Sequence, residues 1–245
     1  MAATTLSAHR TSELPICVVA VAYRVCVELN TRVTQTLSLD DAVAGCALSH
    51  QRLLGWLDEL DVLDGVDVAL PSLLPGWTVG HVLTHLARNA DGSRRMLEAA
   101  AVGEERPMYP SSDHRTAGID AGASRPFAAQ LRDIRTSIWA LESCWAGLDA
   151  PGWSGFGLHV TGRIPVATIP LRRWREIEIH WIDLGLSHTW RDMSGELVAA
   201  DLQTRRDKCP LDVPRSVVDL GERGELCWLY GRSPGSDVPE PPVWF

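Results

Sequence analysis

The sequence predicts a mainly α protein: an up-down-up-down four-helix bundle over residues 39–190, then a small α/β C-terminal region over residues 191–245. Three observations lead there. Apolar residues recur at helical spacing in four segments. Proline and glycine punctuate the gaps between these segments. After residue 195 the chain changes to short apolar runs, PRSVVDL and GELCWLYGR, set between Gly and Pro. With 245 residues and 45% apolar content, the chain can bury a core without disulfides or metal staples.

The first helix is read in LDDAVAGCALSHQRLLGWLDELD, where Asp40 and Asp41 are capping candidates and Val43, Ala47, Leu54, Leu57 and Leu60 keep helical spacing. PSLLPG ends it. Thr78 then caps the second helix, TVGHVLTHLARNADGSRRMLEAAA, on the stripe Val82, Leu86 and Ala90. The connection that follows, VGEERPMYPSSDHRTAGIDAGAS, is rich in Gly, Pro and Ser and is read as a long loop, either functional or disordered.

The third helix has the clearest period, through Phe127, Leu131, Ile134, Ile138, Leu141, Trp145 and Leu148, and it stops at Pro151-Gly152. TIPLRRWREIEIHWIDLGLS alternates in part like a strand. A helix is preferred because Thr168 can cap it, Pro170 suits its first turn, Gly185 suits its end, and Arg172 to Glu176 makes a same-face ion pair.

The net charge of −8 excludes a nucleic-acid backbone or an anionic membrane surface as the main partner, since each demands a dense basic patch. The apolar run LPICVVAVAYRVCVELN is interrupted by Arg24 and is too short to span a bilayer. Six cysteines, Cys17, Cys26, Cys46, Cys144, Cys209 and Cys227, form no CxxC and are read as reduced thiols in the cytoplasm.

Candidate chemistry lies on the second and fourth helices. His81 and His85 are four apart and share a face with Arg88 or Asn89, and Glu176 and His180 are also four apart. A His/His/carboxylate set on two bundle helices suits a divalent metal with an open coordination position. Spacing alone does not separate this from a surface ion pair and a packed histidine.

LPSLLPGWTVGHVLTHLARNADG, MYPSSDHR and RRWREIEIHWIDLG, in that order, resemble the metal-binding domain of mycothiol-dependent maleylpyruvate isomerases, within the DinB-like four-helix superfamily. The resemblance runs from about Leu39 to Leu186. It implies His85, Glu176 and His180 as metal ligands, Arg115 as the active-site residue that meets substrate and cofactor, and His81 as a neighbour only.

The implied cofactors are a divalent metal, zinc first, with iron, nickel or manganese compatible with the same donors, and mycothiol. The implied reaction is the cis–trans isomerisation of maleylpyruvate to fumarylpyruvate in gentisate breakdown, a branch of aromatic catabolism. A metal-held thiolate adds to the double bond, the resulting single bond rotates, and the thiol is expelled. A carboxylate of the substrate would be met by Arg115.

The family also carries a C-terminal α/β domain, so the short stretch after Gly185 is expected to be a truncated or altered form of it. Residues 1–38 fall outside the resemblance and are expected to be a disordered extension or a mis-assigned start, with translation beginning at Val33. Two other functions fit the same residues: a mycothiol S-transferase acting on another electrophile, and a non-catalytic DinB-like binding module. A cytoplasmic monomer acting on a small molecule and a low-molecular-weight thiol is expected.

Overall fold

The structure, a computed structural model, describes residues 37–241. The N-terminal extension, the Val33 start, Cys17 and Cys26 therefore lie outside the described residues. In chain order the elements are α1 (Leu39–Val62), α2 (Val79–Ala100), α3 (Ser112–Ala123), α4 (Phe127–Gly147), the short α5 (Ala150–Trp153), β1 (Phe156–His159), β2 (Gly162–Pro165) and α6 (Ile169–Asp183). Three helices follow: α7 (Gly195–Lys208), α8 (Arg215–Val218) and α9 (Glu222–Leu229).

Helices α1, α2, α4 and α6 are the four that the periodicity predicts, and the fold is mainly helical as expected. Their boundaries follow from local chemistry. Ser38, rather than Asp40 or Asp41, caps α1 by accepting from the Asp41 amide at 3.1 Å, and the two aspartates lie in the first turn where the helix dipole favours them. Pro170 stands in the first turn of α6, and Gly185, at φ 69°, ends that helix in the left-handed region.

The order of directions differs from the predicted up-down-up-down. Gly45 of α1 faces the Trp174 ring, and Ser49 donates to Glu178 at 2.5 Å, so α1 and α6 run parallel. Gly80 at the start of α2 meets Ala123 and Gln130 near the start of α4, while Ala100 at its end meets Gly155 beyond the end of α4. These two helices are parallel as well, and the bundle is up-down-down-up. The physical reason is the connection between Ala100 and Phe127. A tight turn forces the next helix back antiparallel, whereas this segment returns along the bundle before α4 begins.

That connection is not a loop throughout. It holds α3, capped by Ser111 accepting from the His114 amide at 3.0 Å. Of its residues only Ile119, Gly122 and Ala123 are buried, so it carries too short an apolar stripe to be seen as a period. Gly80 is what lets α3 dock: a Cβ there would fall 1.9 Å from the carbonyl oxygen of Ala123.

The C-terminal region also differs from the α/β expectation. Among the described residues after Gly195 the regular elements are helices. The two-stranded sheet sits earlier, as an antiparallel hairpin pairing Phe156 with Pro165 and His159 with Gly162. Leu158 extends it by bonding the 106–108 strip, donating to Arg106 O at 3.1 Å and accepting from the Met108 amide at 2.8 Å.

The core is lined by Leu53 and Leu57, Val82 and Leu86, Ile134 and Ile138, and Trp174 and Ile177, one pair from each bundle helix. At its centre lies Arg173, 1% exposed, whose Nε donates to His50 Nε2 at 3.2 Å and whose Nη1 donates to Leu86 O and Asn89 Oδ1 at 2.9 and 3.0 Å. No helix among the described residues is long and apolar enough to cross a membrane.

Candidate metal centre

Antiparallel packing of α2 against α6 brings together side chains 91 positions apart. His85 Nε2 lies 3.1 Å from Glu176 Oε2, and His180 Nε2 lies 3.4 Å from the same oxygen. One ligand atom from each of His85, Glu176 and His180 falls within 4.8 Å of the other two. The two imidazoles meet edge to face at 4.5 Å between centroids. His85 and His180 are largely covered, while the Glu176 side chain is 33% exposed, so the cluster opens on one side.

The surroundings hold these groups in place. His180 Nδ1 donates to Asp183 Oδ2 at 2.8 Å, and Asp183 in turn accepts from Arg232 Nε and Nη2 at 2.7 and 2.8 Å. With its proton committed to Asp183 at Nδ1, His180 aims Nε2 at Glu176. Arg115 Nη2 sits 3.4 Å from His85 Nδ1, and its guanidinium lies over the rings of Trp77 and Tyr109 at 6.0 and 5.8 Å. It reaches this place because Ser111 caps α3, and the Ser111 carbonyl accepts from the Arg115 amide in the first turn.

The charges are set by environment. Burial, helped by neighbouring His180 and Arg115, pushes His85 down to about 4, so the imidazole is neutral with a nitrogen lone pair to offer. Burial also opposes charge on His180, but hydrogen bonds to Asp183 and Glu176 outweigh it and lift His180 to about 9. Burial opposes charge on Glu176 too, yet the two imidazoles hold its carboxyl well below the usual carboxylate range. Asp183 stays ionised against its own burial through Arg232 and His180.

This donor set fits a divalent cation. Two imidazole nitrogens and one carboxylate oxygen converge from two rigid helices. His85, Glu176 and His180 would hold such a cation, and His180 would give up one proton to do so, since a ligating imidazole is neutral.

His81, the other histidine of the α2 pair, does something else. Its Nδ1 accepts from the Thr78 amide at 3.1 Å and sits 2.8 Å from Thr78 Oγ1, so it closes a capping box at the start of α2. Neighbours that sequence reasoning did not name are Asp183, Arg232, Trp77 and Tyr109. Asp183 had a usable signal, three residues after His180 on the same helical face. Arg232 closes the WLYGR step, which resembles the end of the family's C-terminal domain, but its approach to Asp183 is decided by packing.

The Mycothiol maleylpyruvate isomerase N-terminal domain model matches residues 46–185. No curated protein matches the chain. The solved crystal structure of the mycothiol-dependent maleylpyruvate isomerase is similar over 85% of this chain and 98% of that chain, with a TM-score of 0.70 at 23% identity. A histidine-to-alanine mutant of that enzyme gives the same values. At that identity the likeness establishes the fold. The matched segment exceeds half the sequence and contains both helices of the His/Glu/His cluster, and the chain belongs to the mycothiol maleylpyruvate isomerase N-terminal domain family.

Proposed function

We propose that this protein is a mycothiol-dependent maleylpyruvate isomerase, converting maleylpyruvate to fumarylpyruvate by cis–trans isomerisation. The observation that carries the reading is the convergence of His85, Glu176 and His180 on one point, inside a chain of this family. These three residues would hold a divalent metal, zinc first among candidates, whose chemistry is to keep the thiol of mycothiol ionised as the nucleophile for reversible addition to the conjugated double bond.

The chain's own residues supply the rest. Arg115, half-buried between Trp77 and Tyr109, binds a carboxylate of the substrate and stabilises the electron-rich adduct, a planar bidentate task that a lysine performs less well. Asp183 retains the Nδ1 proton of His180 and so presents Nε2 to the centre. Arg232 keeps Asp183 ionised and ties the C-terminal segment to the site. Tyr109, pushed up to about 12 mainly by burial, stays a neutral hydroxyl donor. The reading places a monomer in the cytoplasm, with a small molecule and a thiol as its partners.

The test is to purify the protein, measure bound metal, and assay isomerisation with and without mycothiol. Stoichiometric metal and thiol-dependent turnover are expected, both lost in His85→Ala and Glu176→Ala. A metal-free wild type, or undiminished turnover in either variant, overturns the proposal. Thiol-dependent conjugation of other electrophiles without isomerisation would move the assignment to a mycothiol S-transferase.

A further inference from the structure

The bundle core holds a cation with no carboxylate against it. Arg173 of α6 is 1% exposed, and among the described residues every acceptor it reaches is neutral. Its Nε donates to the His50 ring at 3.2 Å, and its Nη1 donates to Leu86 O and Asn89 Oδ1 at 2.9 and 3.0 Å. Among the same residues Nη2 has no partner. Glu142 is reached only through His50, whose Nδ1 lies 2.8 Å from it. Burial accordingly holds Arg173 below the usual arginine range.

A buried charge in such surroundings is a poor way to stabilise a fold, and well-packed apolar side chains of similar volume commonly serve as well or better. The position of Arg173 supplies another reason for it. It stands three residues before Glu176 on α6, and the two α2 groups it bonds belong to residues one and four positions after His85. Apart from the His85–Glu176 contact itself, these two bonds are the only hydrogen bonds or ion pairs between α2 and α6 among the described residues. Apolar packing is non-directional and tolerates small slides, whereas hydrogen bonds fix distance and angle. The His50 bond adds a third point of attachment, from α1, which limits rotation of the guanidinium.

We propose that Arg173 is a positioning residue that sets the register of α2 against α6, so that His85 meets Glu176 and His180 in the geometry a divalent metal requires. It acts through the Leu86 carbonyl and Asn89 and touches neither metal nor substrate. The inference rests on the reading of these three residues as a metal centre. Its distinctive consequence is that metal affinity and fold stability separate: loss of the guanidinium loosens the centre without weakening the bundle.

The test compares the full wild-type chain with Arg173→Met, which keeps an unbranched side chain and removes the donors. Zinc affinity is read by chelator competition, the visible spectrum of the cobalt(II)-loaded protein reports coordination geometry, and circular dichroism with thermal melting reports the fold. Arg173→Met is expected to lower zinc affinity about tenfold or more and to change the cobalt spectrum, with an unchanged or higher melting temperature. Asn89→Ala, which removes one of the two α2 acceptors, is expected to weaken zinc binding less, and to add nothing when combined with Arg173→Met. In the metal-free chain, the nuclear Overhauser contact between the His85 and His180 rings, 4.5 Å apart at their centroids, should weaken in Arg173→Met.

Wild-type zinc affinity and cobalt spectrum in a folded Arg173→Met overturn the inference, as does a further loss from Asn89→Ala in the Arg173→Met background. An Arg173→Met that unfolds or melts well below wild type assigns the residue to stability and overturns it too. The metal centre and the positioning role fail separately. A wild type that binds no zinc, but whose His85–His180 contact still depends on Arg173, refutes the centre and keeps the register role. Equal zinc binding by wild type and Arg173→Met does the reverse.

Discussion

At the scale of single residues, the two histidines of α2 show how one residue type serves different ends one turn apart. His85 is buried, neutral and 3.1 Å from Glu176, while His81 closes a helix cap. His81→Ala is therefore expected to lower stability by about 1 kcal/mol, as lost caps do, and to leave metal content unchanged, as thermal unfolding and metal analysis would read. Asp183→Asn should act in the opposite manner. An amide cannot hold the Nδ1 proton of His180 as a carboxylate does, so metal affinity should fall roughly 10- to 100-fold in a chelator competition while the fold persists.

At the scale of elements, the decisive contacts are those that fix α3, because Arg115 rides on it. The close approach of Ala123 to Gly80 admits no side chain, and the obstacle is backbone. Gly80→Ala should force α3 outward, costing about 1–3 kcal/mol as overpacking does, and should raise KM by moving Arg115 away from the substrate. A melting curve and steady-state kinetics check both halves; an unchanged KM in a destabilised variant would mean that Arg115 does not depend on this docking. Helix α3 itself was illegible in the sequence: one buried isoleucine with a glycine and an alanine leaves no period to read. The bundle helices were legible because each buries a long apolar stripe, and α6 was resolved against a strand by its proline start and glycine end.

At the scale of the molecule, His50 of α1 links α4 and α6 through the core. Its Nδ1 lies 2.8 Å from Glu142 Oε1, and its Nε2 accepts from Arg173 Nε, an arrangement that requires a neutral ring. Burial pushes His50 down to about 4 from an ordinary 6.5. In that interval the unfolded chain binds the proton and the native chain does not. The contribution of His50 is thus complete above pH 6.5 and declines as pH falls toward 4, by up to about 1.4 kcal/mol per pH unit for this one proton. Urea midpoints across that range should show the decline, and His50→Gln should flatten its slope by that one-proton contribution.

By itself the sequence determined the helical elements and the kinds of donor available. Period, caps and breakers are local properties, and Glu176 and His180 face the same way because four residues make about one turn. Only the tertiary structure decided the direction of α4 and the partners of Asp183, and it alone set His85 against Glu176 at 3.1 Å. A long connection permits either direction for the helix after it, and a contact between residues 91 apart exists only once two helices have packed in register. Surroundings did the rest: burial lowers His85 to about 4, while hydrogen bonds to Asp183 and Glu176 raise His180 to about 9 against its own burial.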